Sequence, residues 1–398
     1  MKDKPNLVRA LRGLSSILVE ATLKTTTIVE DMHRTIASGP PALGSPLKPV
    51  VKLYTKPIYG GIRGITGLVG IGVERALRQI EPAFEDVSPP DVVEMVRAAI
   101  NGVVGDHLAL TENPLAIEME LRFNDETLDF GTLPKGNPLL LYIHGSAMSD
   151  IQLMRNGHHH GQKLAEDFGL TCITVRYNSG LHISENGEKL AAKLQELADH
   201  VPDVPIIILG FSMGGLVARS AVNLAEKQSL SWRNRLRGMI FLGTPHHGAP
   251  LERMGNIFQK LLESTGYSAP IARLARLRSA GVTDLRFGSI LREHWSGADR
   301  FDHVPDTRTP VPLPTDVLCF AVAGTLSKSL DEGPESLSGD GLVPVSSALG
   351  EHENSARRLG LEDHQKKVIL NCGHLDLLDH PQVSQELRVS LRLLVKIT

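Results

Sequence analysis

The chain has 398 residues, of which 41% are hydrophobic and 22% charged, and its formal net charge at pH 7 is −3. That length allows one large domain or two modest ones, and the composition is that of an ordinary globular protein. The charge balance excludes the basic footprint of a nucleic-acid binder.

Taken in order, residues 7–36 carry Leu7, Leu11, Leu14, Leu18, Leu23 and Ile28 at close to helical spacing, which predicts a helix. Ser38-Gly39-Pro40-Pro41 stops it, and Pro46 and Pro49 keep the next stretch extended. Residues 58–80 are apolar but rich in glycine (Gly60, Gly61, Gly64, Gly67, Gly70, Gly72). Each such glycine weakens an isolated helix by about 1 kcal/mol, so packing must hold the segment. A third helix is predicted over 91–104, with Asp91 as its N-cap after Pro89-Pro90. Residues 1–115 therefore read as a helical extension. It either packs or oligomerises, giving a homo-oligomer, or acts as a lid or a membrane-surface element, for which Arg63, Arg75 and Arg78 are suited and Glu74 and Glu81 are not. Arg9, Arg12 and Glu20 interrupt any secretory h-region, and no apolar run is long enough to span a bilayer. A cytoplasmic protein is expected. Cys172, Cys319 and Cys372 lack CxxC spacing and fall in or beside predicted buried strands, so they read as small core residues in a reducing compartment.

Residues 116–398 alternate strands with helices. Strands are expected at 116–123, 138–145, 170–177, 205–209, 238–243, 317–323 and 367–370. Helices are expected at 188–200, from 213 onward, and at 383–395. This order argues for a mostly parallel sheet with helices on both faces. Residues 250–310 carry helix-like pieces (251–262, 270–278) and no central strand, which suits a cap over the carboxyl edge of the sheet.

The chain is organised around Gly210-Phe211-Ser212-Met213-Gly214, a Gly-x-Ser-x-Gly pattern between a buried strand and a helix. A sharp turn there would strain Ser212 and expose its hydroxyl, and side chains at Gly210 or Gly214 would collide with the adjoining helix or strand. A serine hydroxyl needs a base, and the base needs an orienting carboxylate. In chain order the acid comes next and then the histidine. Asp340, in the Gly-rich loop Ser338-Gly-Asp-Gly-Leu-Val-Pro344, is the preferred acid over Asp331 and Glu332. His374, directly after a strand, is preferred over His364 and His380. The backbone N–H groups of Met213 and Ser146 are the expected oxyanion donors. His144, Gly145, Phe211, His246 and His247 are expected to line the pocket. His158-His159-His160 is no metal tripod, because adjacent helical residues point in different directions. No metal site and no cofactor are expected; there is no P-loop, dinucleotide-binding glycine pattern or zinc spacing.

Together, Ile-His144-Gly145, Gly-Phe-Ser212-Met-Gly-Gly, Gly-Thr-Pro-His-His-Gly248, Gly-Asp340-Gly-Leu-Val-Pro and Gly-His374-Leu-Asp resemble the α/β-hydrolase lipases and esterases, including bacterial triacylglycerol lipases and lipase-like PGAP1 relatives. The resemblance covers residues 115 to 398. It implies an α/β-hydrolase fold, a Ser212–Asp340–His374 triad, and carboxylic-ester hydrolysis through an acyl-enzyme. Phe211 stands where many of these lipases have His, which makes the turn drier. Asp376 matches a position that binds structural calcium in some of them, but His380 and Pro381 replace the companion ligand, so calcium is not expected. The expected substrate is a small-molecule or lipid ester with an apolar acyl chain, extending to aliphatic polyesters if the cleft is open. An acyltransferase with the same triad and a non-catalytic lipid-binding scaffold are the alternatives.

Overall fold

The computed structural model describes residues 90–201, 203–250, 279–297, 306–329 and 339–395. The helices expected at 7–36 and 58–80, the cap pieces expected at 251–262 and 270–278, and Asp331 and Glu332 lie outside the described residues. The chain divides into two compact units, Met1–Glu94 with Thr111–Leu115, and Met95–Leu110 with Ala116–Thr398.

The second unit is built on an eight-stranded sheet of order β2-β1-β4-β3-β5-β6-β7-β8. The strands are β1 (Glu120–Phe123), β2 (Glu126–Thr127), β3 (Leu139–Ile143), β4 (Thr171–Arg176), β5 (Ile206–Phe211), β6 (Leu236–Leu242), β7 (Leu318–Gly324) and β8 (Lys366–Ile369). The strands from β3 to β8 pair in parallel. β1 runs antiparallel to both β4 and β2. The strand expected from 116 joins the ladder only at Glu120, opposite Arg176 at the end of β4. Before that point no neighbouring strand continues, although Ile117, Met119 and Leu121 keep the alternating burial of a strand. β2 is a two-residue addition too short for periodicity to reveal.

The helices are α1 (Pro90–Leu110), α2 (His160–Phe168), α3 (Ile183–His200), α4 (Met213–Gln228), α5 (Ala280–Asp284), α6 (Val345–Ala348) and α7 (Pro381–Val395). α3 begins five residues before its expected start, because Ile183 N and His182 Nδ1 are held by the Asp284 carboxylate and Glu185 Oε2 accepts from His182 N. α2 is an element that apolar spacing did not predict. Its N-cap is His159, whose Nδ1 accepts the N–H of Gln162, a role more often filled by Ser, Thr, Asp or Asn. α1 runs on past 104 to Leu110 with a non-helical Val104 (φ −134, ψ 19).

Parallel strands buried on both faces need two apolar layers. Ile206 and Ile208 of β5, with Leu139, Leu141, Ile143, Met239 and Phe241, pack in the layer of α3 and α4. The alternate residues face α2 and α7: Gly161 of α2 sits against Tyr142 and Cys172, and Leu394 of α7 against Gly238. The three cysteines are unpaired, with Cys172 in β4, Cys319 in β7 and Cys372 just beyond β8, and burial pushes each thiol up to about 12.

From β3 the chain crosses to β4 on one side, then returns past it to β5 on the other. The loops leaving β3 and β5 therefore diverge and open a crevice at the carboxyl edge, the usual ligand position of an open parallel sheet.

Candidate active site

Ser212 directly follows β5 and is the N-cap of α4, with φ 53 and ψ −124. A non-glycine residue at positive φ costs on the order of 1–3 kcal/mol and persists where its surroundings over-determine it. They do so here. A Cβ on Gly210 would lie 2.5 Å from Gly215 Cα, and one on Gly214 would lie 2.4 Å from Ile143 O. Helix and strands can close to this distance only with glycine at both positions. Ser212 N also donates to Leu242 O on β6 (2.8 Å), which pins the turn from the other side.

Asp340 and His374 arrive from the loops after β7 and β8. His374 Nε2 lies 2.9 Å from Ser212 Oγ, and His374 Nδ1 lies 2.7 Å from Asp340 Oδ2. Asp340 Oδ1 accepts the N–H groups of Leu342 (3.0 Å) and Val343 (2.8 Å), and Asp340 O accepts His374 N (2.9 Å). The carboxylate is thereby fixed by its own loop and presents one oxygen to the imidazole. With Nδ1–H donated to Asp340, Nε2 carries the lone pair that can accept the serine proton. All three side chains are buried. His364 instead faces Glu362 in the open (3.2 Å), and His380 Nδ1 caps Gln382 N. The structure thus brings together Ser212, Asp340 and His374 of the residues predicted from sequence.

The loop after β3 forms the opposite wall. A Cβ on Gly145 would come within 3.0 Å of Ser212 Cβ, so Ser146 follows directly beside the serine. Ala147 turns the loop away at φ 58, its N–H donated to Ser179 Oγ (2.9 Å). Met213 N is the first helical amide of α4 and has no intrahelical acceptor by geometry. His144 holds this loop from below. Its Nδ1 donates to Gly145 O (2.8 Å), its Nε2 faces Tyr177 N (3.4 Å), and its ring stacks on Tyr177 at 4.2 Å. Burial drives His144 down to about 4, so it is neutral at pH 7. Its expected place was the pocket lining; it is instead fully buried and shapes the loop. Phe211 is likewise 1% exposed, its ring 5.0 Å from that of His374.

Residues 134–308 match the model of the PGAP1-like alpha/beta domain. The PGAP1-like segment contains Ser212 and the loop after β3, and it ends before Asp340 and His374. With this match, the sheet order and the strand–Ser212–helix turn give the α/β-hydrolase fold. Among solved structures, the chain is similar to the Bacillus licheniformis lipase BlEst2 in mature form (18% identical, 70% of this chain and 98% of that one, TM-score 0.43). It is also similar to a lipase-esterase related protein from Clostridium acetobutylicum (14% identical, 70% and 98%, TM-score 0.36). A third is the type II thioesterase YbtT from the yersiniabactin biosynthetic pathway (20% identical, 66% and 95%, TM-score 0.36). No curated protein matches the chain.

Three groups missed by sequence reasoning hold the site. Residues 95–110 of α1 press on the loops after β3 and β4: a Cβ on Gly102 would lie 2.5 Å from Ala147 Cβ, and Asn178 Nδ2 donates to Gly105 O (2.9 Å). Arg155 Nη1 donates to Asp376 Oδ1 and to Asp379 Oδ1 (both 2.9 Å), while Asp376 Oδ2 accepts Gly373 N (2.9 Å). A guanidinium thus sits where these two carboxylates converge, next to the His374 loop, and this donor set does not fit a calcium ion. His160 Nε2 donates to Leu377 O (3.0 Å), and His158 and Ser384 meet its Nδ1 (2.9 and 3.1 Å). The three adjacent histidines therefore serve as a cap and a hydrogen-bonded tie. No group of three or more potential metal ligands occurs among the described residues.

His246 and His247, expected in the pocket of Ser212, line a separate cavity with Arg219, Arg308 and Arg357. No helix among the described residues is long and apolar enough to cross a membrane.

Proposed function

We propose that the protein is a serine ester hydrolase acting on carboxylic esters with apolar acyl chains through an acyl-enzyme. The observation that carries this reading is the continuous hydrogen-bonded chain Ser212 Oγ, His374 Nε2, His374 Nδ1, Asp340 Oδ2, with its serine held at a strained turn of an α/β-hydrolase fold.

In this mechanism Ser212 Oγ attacks the ester carbonyl while His374 Nε2 takes its proton. Asp340 keeps the imidazole in the right tautomer and offsets the charge it gains. The N–H groups of Met213 and Ser146 receive the developing oxyanion; losing one such donor typically slows a reaction by roughly 10²–10³-fold. His374 then protonates the leaving alcohol, water enters, and the same base activates it to release the acid. Each of these groups is positioned before substrate arrives, because Asp340 is fixed by two backbone amides and the serine turn by glycine contacts. The ester chain-length series tests the apolar acyl preference; Phe211 and Met213 are buried in the core and do not bear on it.

The test is hydrolysis of p-nitrophenyl esters from acetate to palmitate by wild type and Ser212→Ala. The expected result is turnover by wild type, reduced roughly 10⁴–10⁶-fold in the variant. Equal turnover by both proteins, or none by wild type across the whole series, overturns the reading.

A further inference from the structure

Arg219 lies two helical turns along α4 from Ser212 and is 7% exposed. Its Nη1 donates to His246 Nδ1 (3.2 Å) and its Nη2 to Val311 O (2.6 Å), while its Nε–H is buried with no partner among the described residues. No carboxylate among the described residues pairs with it. A buried guanidinium in that state is costly, because its desolvation is not offset by an opposite charge. Burial, with Arg308 nearby, lowers it to about 10, so it remains charged at neutral pH.

The groups around it are of the same sign or are donors. His246 accepts from Arg219 at Nδ1, so its proton resides on Nε2, and that N–H is also buried without an acceptor among the described residues. Arg308 and Arg357 complete the wall. They share one carboxylate: Asp306 accepts Arg308 Nε (2.9 Å) and Nη2 (2.8 Å), and it also accepts Arg357 Nη1. Two of the three guanidinium charges thus go unanswered by any carboxylate of the described residues. Between these side chains is a cavity of about 320 Å³, counting its open mouth. His294 is a wall rather than a donor to it, since its nitrogens are taken by Ile290 N and Thr309 O.

We propose that this cavity binds a phosphate group, free or as a phosphomonoester, at a site separate from Ser212. Three observations support an oxyanion: the unpaired guanidinium, the second unpaired N–H beside it, and a cavity they line. The preference for phosphate over a carboxylate follows from the charge and from where these groups originate. Arg219 comes from α4, His246 from the loop after β6, Arg308 from the loop before β7, and Arg357 from a short helical turn between β7 and β8. Arg219 Nε and His246 Nε2 are the open N–H groups, while Arg308 (Nη1 to Gly288 O, 2.8 Å) and Arg357 (Nη2 to Asp306 O, 2.9 Å) already donate within the wall and lend positive charge, which suits a multiply charged anion. A planar carboxylate is satisfied by one guanidinium fork.

The test is calorimetric titration of the full chain at constant ionic strength with inorganic phosphate, glycerol 3-phosphate and acetate. Wild type should bind phosphate saturably at one site. Arg357→Gln, which leaves Asp306 paired with Arg308, should bind at least tenfold more weakly, and Arg219→Met should not bind. Binding of glycerol 3-phosphate as tightly as phosphate identifies an esterified ligand; binding of inorganic phosphate alone identifies the free ion. Three results overturn the proposal: no saturable binding by wild type, equal affinity in Arg357→Gln, or acetate binding as tightly as phosphate. If Arg219→Met does not fold, Arg357→Gln decides the matter alone.

Discussion

Ser212 and Arg219 stand on the same helix, both more than nine-tenths buried, and they differ in how their polar atoms are satisfied. Around Ser212 each side-chain donor of the Ser–His–Asp chain meets an acceptor: the serine meets His374, and His374 meets Asp340. The Asp340 carboxylate is further tied by two amides. Around Arg219 a full charge lacks a counterion and two N–H groups lack acceptors among the described residues. Buried polar groups are ordinarily paired. The first arrangement is complete without a ligand, as suits a group that must hold one geometry while chemistry proceeds. The second is complete only when something negative enters. Unpaired atoms are thus more informative than paired ones in pointing to a second site.

The largest effect that would sharpen this contrast is Asp340→Asn. The amide oxygen can still accept Leu342 and Val343, but its NH₂ would then face His374 Nδ1 and favour the wrong imidazole tautomer. Ester turnover should fall about 10⁴-fold with little change in Tm. A fall of less than tenfold would break the account of a self-contained triad.

The second test uses the neutral histidines common to both regions. Burial lowers His144 to about 4 and holds His246 well below its ordinary value. The folded state therefore resists their protonation, and the unfolded state takes up the protons first. Stability should be full above about pH 6.5 and should decline as the pH falls toward 4. His144 alone accounts for up to about 3 kcal/mol of that loss. Urea midpoints at pH 7 and pH 5 read this directly, and equal midpoints would contradict it.

The smallest expected effect is Arg155→Met. It frees Asp376 and Asp379 beside the His374 loop, but the ion pairs are partly exposed and should be worth under about 1 kcal/mol. We expect kcat to drop severalfold with KM unchanged and Tm nearly constant. A change in KM alone would show that the tie touches substrate binding rather than the histidine loop.

Much of the candidate site was legible in the chain because local rules govern it. Gly210 and Gly214 flank Ser212 at positions where a Cβ would strike backbone, so the pentapeptide and its setting between an apolar strand and an amphipathic helix carry the turn. Asp340 and His374 could be chosen because each follows a strand, in the chain order this fold requires. The extent of α2 and the early start of α3 were not legible, since His159 and Asp284 cap them from unusual side chains or from distant sequence. His144, His246 and His247 carried no signal of their own that would separate a pocket wall from a buried support.

The sequence by itself determined the parallel sheet, the serine turn and the order of the three proposed catalytic residues, because apolar periodicity, glycine sterics and chain order act over a few residues at a time. Only the tertiary structure decided that Arg155 joins two carboxylates more than two hundred residues away, that α1 braces the Ala147 loop, and that Arg219 has no counterion among the described residues. Those outcomes depend on which side chains a fold brings together and which it leaves apart, and pairing across a core has no imprint on neighbouring positions in the chain.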